Sequence, residues 1–363
     1  MTHPSRFLSA VVARGRTAWA SFAAEEFVEL HPGLAGTVAG DPFAAWRSVL
    51  VECTEALAAA AAADCGEVFA RQVRWSQAVL RARGVSPEAF RKALEVLGNV
   101  LSRELPPEPA SAAEAYLARA REGLDDEPPG TAPRLSADSP YSRTATKYLL
   151  TLLEGNRRAA RDLILDAVRD GSPIADLYLE VLQPAQLELG RMWADNEITV
   201  AEEHFASSTT RTVMAQLLAA ADCRPPNGKT FLAASVAGNQ HDLGLQMVAD
   251  FFEIDGWRVI ALGANMPPGD LVAGIDFFSP DLIGLSASLS VHLPPLGEAI
   301  TAIRSSPRSA QLRILGGGGA LAGLSDLPGK LGLDAYAADA REALSAGRTL
   351  VGLPAQPERA NPQ

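Results

Sequence analysis

The sequence predicts helical blocks followed by a Rossmann-like parallel α/β sheet, and three observations predict it. Residues 1–124 are rich in Ala, Leu and Arg at helical spacing, which makes an all-helical amino-terminal block. Residues 141–222 are helical again, in segments that suit a small bundle of the four-helix type. From Lys229 short apolar runs alternate with helical stretches, as in parallel strands joined by crossover helices. Two Pro-bearing stretches separate the blocks, DDEPPGTAPRLSADSP at 125–140 and Arg224–Gly228. The divisions are therefore 1–124, a linker at 125–140, 141–224, 229–352 and a tail at 353–363.

The amino-terminal block reads as about six helices. Asp41-Pro42 and Ser86-Pro87-Glu88 each place a capping side chain before a proline suited to a first helical turn. The second starts a helix over Glu88–Leu105, and the Ala58–Ala63 run is a strong helix former. The middle block carries segments at Arg143–Leu153, Asn156–Arg169, Ile174–Leu182, Pro184–Asp195 and Thr199–Ala221. In the last block the strands are Thr230–Val236, Trp257–Leu262, Leu282–Ser286, Arg313–Leu315 and Ala335–Ala337. Helices fall at Leu243–Glu253, Pro268–Phe278, Pro295–Arg304 and Ala340–Leu350.

The 363 residues allow two or three domains, and 47% hydrophobic with 21% charged residues fits a soluble globular chain. A net charge of −11 without basic clusters argues against DNA binding. Cys53, Cys65 and Cys223 are widely spaced, form no metal or redox pattern, and read as free thiols of a reducing cytoplasm. No signal peptide and no membrane-spanning run is read, so the expected location is cytoplasmic.

The chemistry concentrates where strands pass into helices. Asn239-Gln240-His241-Asp242-Leu243-Gly244 follows the first strand, so His241 points from the carboxyl edge of the sheet, where such folds bind ligands. Leu262–Pro267, Ser286-Ala287-Ser288-Leu289-Ser290 and Gly316–Ala320 follow the next three strands. Their small residues open a slot between strand ends, and their hydroxyls offer hydrogen bonds. Taken singly each is an ordinary turn; their order along successive strand ends carries the signal.

That order resembles the Asp-x-His-x-x-Gly, Ser-x-Leu and Gly-Gly pattern of cobalamin-binding domains, with Asn239 where the family has Asp. The matching residues are His241 and Gly244, Ser286 or Ser288 with Leu289, and Gly316, Gly317 and Gly318. The resemblance implies that His241 is the lower axial ligand to cobalt and that an acceptor at Asn239 orients its ring. It also makes Asp242 and Leu243 cofactor neighbours.

Upstream, nine residues separate Trp193 from Glu203-His204. This spacing resembles the cap of light-sensing cobalamin proteins, in which the Trp covers the upper face and the Glu-His pair lies beside the adenosyl group. Where the light-dependent repressors of that group carry a His after the Trp, this chain has Ala194, so capture of cobalt by that route is not available. The amino-terminal block is not read as a winged helix-turn-helix. Trp75 with Arg81–Pro87 resembles globin-like sensor helices without haem, and the whole arrangement is similar to the photocobilins, which also bind biliverdin.

The resemblance implies a light-sensing regulator rather than an enzyme, with adenosylcobalamin as cofactor and biliverdin as a second, non-covalent chromophore. His31, Arg74, Trp75 and Arg83 are the candidate bilin contacts. It further implies a homo-oligomer, a dimer favoured, with light-dependent assembly, and an effector protein reached in trans, with no output domain read in the chain. Two alternatives stay open: a corrinoid methyl carrier and a cobalamin-sensing antirepressor.

Overall fold

The computed structural model describes residues 4–126, 132–307, 309 and 311–355. Parts of the expected linker and tail lie outside them. The chain divides into two compact units, Met1–Pro133 with Glu188–Glu203, and Arg134–Leu187 with His204–Gln363. This division cuts the block read as one bundle over 141–224: residues 188–203 cluster with the amino-terminal helices.

The described residues of the first unit form helices at Pro4–Leu30, Pro32–Ala35, Pro42–Ala63, Gly66–Ala82, Pro87–Glu104 and Pro107–Glu122. Asp41 accepts the Ala44 N–H at 2.8 Å and Ser86 accepts that of Ala89 at 3.1 Å, so both predicted caps form. The Ala58–Ala63 run does more than favour a helix. All but Ala62 are buried, so small side chains give neighbouring helices close approach. Trp46, fully buried, donates its indole N–H to the Ala35 carbonyl at 3.0 Å and meets Phe27 edge-on.

In the second unit, helices Ser142–Leu153 and Arg157–Arg169 appear within a residue or two of expectation, as does helix Val200–Ala220, which belongs to this unit from His204 on. The segment read as one helix over Ile174–Leu182 is a short helix, Ile174–Leu177, continued by a π-helical turn, Tyr178–Leu182. The sheet has strands β1 (Thr230–Val236), β2 (Arg258–Met266), β3 (Leu282–Ser286), β4 (Arg313–Gly317) and β5 (Ala335–Tyr336). All pairings are parallel, in the order β2-β1-β3-β4-β5. β1 and β3 are buried along their length, which is why they read as unbroken apolar runs.

One expectation is corrected at the edge. Leu262–Met266, read as a loop, belongs to β2. Gly263 and Asn265 take positive φ (78° and 56°), and the β1–β2 register shifts beside them, so the strand continues through a bulged stretch. The core beneath the sheet is built on Phe231 stacked on Phe252 at 3.9 Å, with Trp257 edge-on to Phe252 at 5.0 Å. Gly284 and Gly347 make room for this stack; a Cβ at either would fall 2.5 or 2.6 Å from a ring carbon.

Helix Leu243–Ile254 follows the loop that carries His241. Its Asp250, 2% exposed, accepts from the Tyr178 hydroxyl at 2.6 Å and from the Gln246 amide at 2.7 Å. Burial, with a contribution from Glu253, nevertheless pushes the Asp250 carboxyl up to about 6. The folded state therefore holds this proton more tightly than the unfolded chain, whose Asp titrates near ~4. Stability from this group is fully present below that value and is lost as pH rises to about 6. Asp250→Asn is expected to flatten the fall in unfolding free energy over that pH window, measured by urea titrations at several pH values.

Candidate functional site

The strand order reverses between β1 and β3, so the loops leaving their carboxyl ends part and open a crevice at a topological switch point. Asn239, at the root of the loop after β1, is fully buried. Its amide donates to the Ser286 carbonyl at 3.1 Å and to Ser288 Oγ at 3.2 Å, while its Oδ1 accepts the backbone N–H of His241 at 3.0 Å. The side-chain oxygen thus holds the His241 backbone. The same geometry explains Asn at this position. A carboxylate would set oxygen against the Ser286 carbonyl, whereas the amide satisfies it.

His241 is pinned from two sides, since its own carbonyl accepts from Ser288 Oγ at 3.3 Å. Its side chain is exposed, with the His292 ring 6.5 Å away. An imidazole on a fixed backbone at this edge suits a metal. Among the described residues no group of three or more His, Cys, Asp or Glu is placed to hold a metal ion.

His292 was not anticipated from the sequence. It is buried, and its Nδ1 accepts the Leu289 N–H at 3.1 Å. Burial and the neighbouring His241 hold it below the usual imidazole range, against a hydrogen bond to the Gly238 backbone. His292 therefore ties the loop after β3 to the loop after β1. The signal available was a histidine past a strand's carboxyl end, directly before a helix that starts at Leu293 rather than Pro295. Asn265 was missed as well; its Oδ1 accepts the Gly238 N–H at 2.7 Å.

The other predicted positions separate by role. Gly244 is exposed, and nothing lies within 4 Å of a Cβ built there, so a ligand can pass its backbone. Leu289 is 45% exposed and Leu243 half-buried. Asp242 turns to an ion pair with Arg211 at 2.7 Å. Gly316 is a packing glycine: its Cβ would fall 2.3 Å from Leu333 Cδ1. Gly317 and Gly318 lie against the loop after β3. The Gly317 carbonyl accepts the Ala287 N–H at 3.1 Å, and at Gly318 (φ 99°) a Cβ would fall 2.3 Å from the Ala287 carbonyl.

In the first unit, Trp193 is half-buried near the end of helix Gln183–Ala194. Its ring stacks on Trp75 at 6.2 Å and 26°, and the Arg83 guanidinium lies 5.4 Å from its centroid. Glu203 and His204 follow a capping box in which Glu202 accepts from the Thr199 N–H and hydroxyl, both at 2.7 Å. The four expected bilin contacts do not form one group. Arg74 pairs with Glu67 at 2.7 Å, and the His31 ring lies 5.7 Å from Phe27. Trp75 and Arg83 meet at Trp193. Cys53 is buried and its thiol pushed up to about 12 by burial, which leaves it inert.

Comparison with known proteins bears on this crevice. Residues 229–346 match the B12 binding domain family. Residues 144–218 match a second B12 binding domain family. Together these matches indicate a cobalamin cofactor. The chain is similar to the HTH-type transcriptional repressor CarH of Myxococcus xanthus, 29% identical over 197 residues, or 54% of this chain and 64% of that protein. It is also similar to dimethylamine corrinoid protein 1 of Methanosarcina acetivorans, 28% identical over 118 residues, 32% of this chain and 54% of that one. The aligned regions thus span less than two thirds of either relative. The monomethylamine corrinoid protein structure of Methanosarcina barkeri shares the fold, with a TM-score of 0.52 at 16% identity over 58% of this chain and 99% of that one.

Removing the Asn239 amide strands three groups that it satisfies. Asn239→Ala is expected to cost ~2–4 kcal/mol of unfolding free energy, measured by chemical denaturation of the cofactor-free protein.

Proposed function

We propose that this chain is a cobalamin-binding, light-sensing regulator that takes adenosylcobalamin, with His241 as lower axial ligand. The observation that carries the reading is the exposed imidazole of His241 on a doubly pinned backbone at the β1/β3 switch point, inside the B12 binding domain match. Gly244 leaves room for a polar tail beside the backbone, while Ser286, Ser288 and Leu289 border the crevice. When bound, adenosylcobalamin supplies a cobalt–carbon bond that light cleaves. Trp193, Glu203 and His204 are assigned to the upper ligand by the resemblance of their spacing. Loss of that ligand removes contacts made in one state alone, which is what a switch requires.

The similarity to a transcriptional repressor supports a regulatory role rather than an enzymatic one. The described residues of the first unit are helical throughout their regular elements, without a winged helix's strand pair, and the chain carries a net charge of −11. Output through a protein partner or a change of oligomer, a dimer in the first instance, fits these facts better than direct DNA contact. Biliverdin is a second chromophore in this reading through the photocobilin resemblance, with His31 the candidate not drawn into an ion pair or the Trp193 cluster. The corrinoid proteins among the relatives favour one other reading, a methyl carrier.

The test is an absorbance titration with adenosylcobalamin in the dark, followed by green light, with and without biliverdin. A regulator of this kind retains cobalamin and converts to a stable aquo- or His-ligated spectrum; free release of cobalamin and no preference for the adenosyl form point to the methyl carrier. His241→Ala is expected to give a base-off or water-ligated spectrum and binding weaker by about 10–100-fold; an unchanged spectrum removes His241 as ligand.

A further inference from the structure

We infer that Trp75 and Arg83 are positioning residues for Trp193, so that the amino-terminal helices set the indole that meets the upper ligand. The inference rests on the assignment of Trp193 to that ligand in the reading above. What it adds is a function for two residues that sequence alone had placed at a bilin.

The geometry starts from the end of helix Gly66–Ala82. Gly84 takes φ 82°, its N–H reaches the Arg81 carbonyl at 3.0 Å and the Val85 N–H reaches that of Leu80 at 3.0 Å. This left-handed stop ends the helix and leaves Arg83 at its exit. The Arg83 guanidinium then donates to two carbonyls in the last turn of helix Gln183–Ala194, those of Ala194 at 3.0 Å and Trp193 at 3.3 Å. Carbonyls of a last turn lack helical partners and form the negative end of the helix dipole, so a cation is favoured there. The same guanidinium lies 5.4 Å from the indole centroid, and Trp75 stacks on that indole at 6.2 Å. One arginine and one tryptophan thus fix both the backbone and the ring of Trp193.

The segment after Trp193 is fixed too. Arg191 donates to Glu188 at 2.7 Å, Asp195 at 2.6 Å and Glu197 at 3.0 Å. Asn196 takes φ 60°, and its N–H reaches the Trp193 carbonyl at 3.1 Å. Every one of these partners belongs to the first compact unit, Met1–Pro133 with Glu188–Glu203. Trp193 is therefore a part of the amino-terminal unit in its packing, whatever its place in the sequence.

The test uses the full-length chain with Arg83→Gln, Arg83→Lys, Trp75→Leu and Trp193→Ala. Near-UV circular dichroism of the cofactor-free protein reads the stacked indole pair, and dark titrations with adenosyl-, methyl- and hydroxocobalamin read upper-ligand preference. Trp75→Leu and Trp193→Ala are expected to remove the same near-UV band. Arg83→Gln and Trp75→Leu are each expected to lower the preference for adenosyl- over methylcobalamin by about fivefold, with Arg83→Lys restoring part of it. Hydroxocobalamin affinity stays within about twofold, which shows that the variants fold and keep the lower site. If Trp193→Ala loses the preference while Arg83→Gln and Trp75→Leu keep it, the positioning role is overturned. If Trp193→Ala keeps it, the assignment of Trp193 to the upper ligand fails first, and the positioning role toward that ligand falls with it.

Discussion

The buried amide of Asn239 is the constraint on which the crevice depends. A switch point in a parallel sheet creates a difficulty as well as a crevice: the loops after β1 and β3 diverge, and backbone groups at their roots lose neighbours. Asn239 answers it with one side chain. It donates to Ser286 and Ser288 on one side and accepts from His241 on the other, from a side chain that is itself fully buried. Ser288 then donates onward to the His241 carbonyl, and His292 binds Leu289 while its ring faces Gly238. The position of His241 is therefore the product of a network rooted in a fully buried amide, where a missing bond to that amide is costly.

A second network places the helix that begins at this site. Asp242, at its start, pairs with Arg211, and Asp250, two turns on, takes the hydroxyl of Tyr178. Arg211 lies on helix Val200–Ala220 and Tyr178 opens the π-helical turn. A π turn re-aims the side chains after it, and such turns recur where geometry matters more than regularity. Here it delivers a phenol to a buried carboxyl. The helix after His241 is thus held at both ends by polar bonds to the helical part of its own unit.

Much of this was legible in the sequence, and what was not has a common physical cause. β1 and β3 showed as buried apolar runs, and Asp41, Ser86 and Asn156 marked helix starts because capping is local chemistry. His241 and the order of small-residue loops were likewise readable, since strand ends face one edge. The extension of β2 was hidden because a Gly and an Asn at positive φ look like a turn, and only pairing with β1 makes them a bulge. His292, Arg211 and the Tyr178–Asp250 bond lie in no periodic pattern. The partners of Trp193 were the least accessible: Arg83 binds it across 110 positions, a contact that composition and spacing do not encode.

The residue after Trp193 shows how one position can serve different ends. Relatives suggested by the cap spacing carry a histidine there, a side chain able to bind cobalt; this chain has Ala194, which offers none. What Ala194 does contribute is its carbonyl, the nearer of the two acceptors that this helix end offers Arg83. A helix end exposes such carbonyls whatever the side chain, so Ala does not create the acceptor. A histidine at the same turn would set an imidazole or imidazolium beside the guanidinium, within the field of the same helix terminus. With Ala194 the terminus is occupied by Arg83, and Trp193 is fixed by the amino-terminal helices. If Trp193 meets the upper ligand as proposed, a change at the indole reaches the amino-terminal helices through packing, without a new metal–ligand bond from position 194.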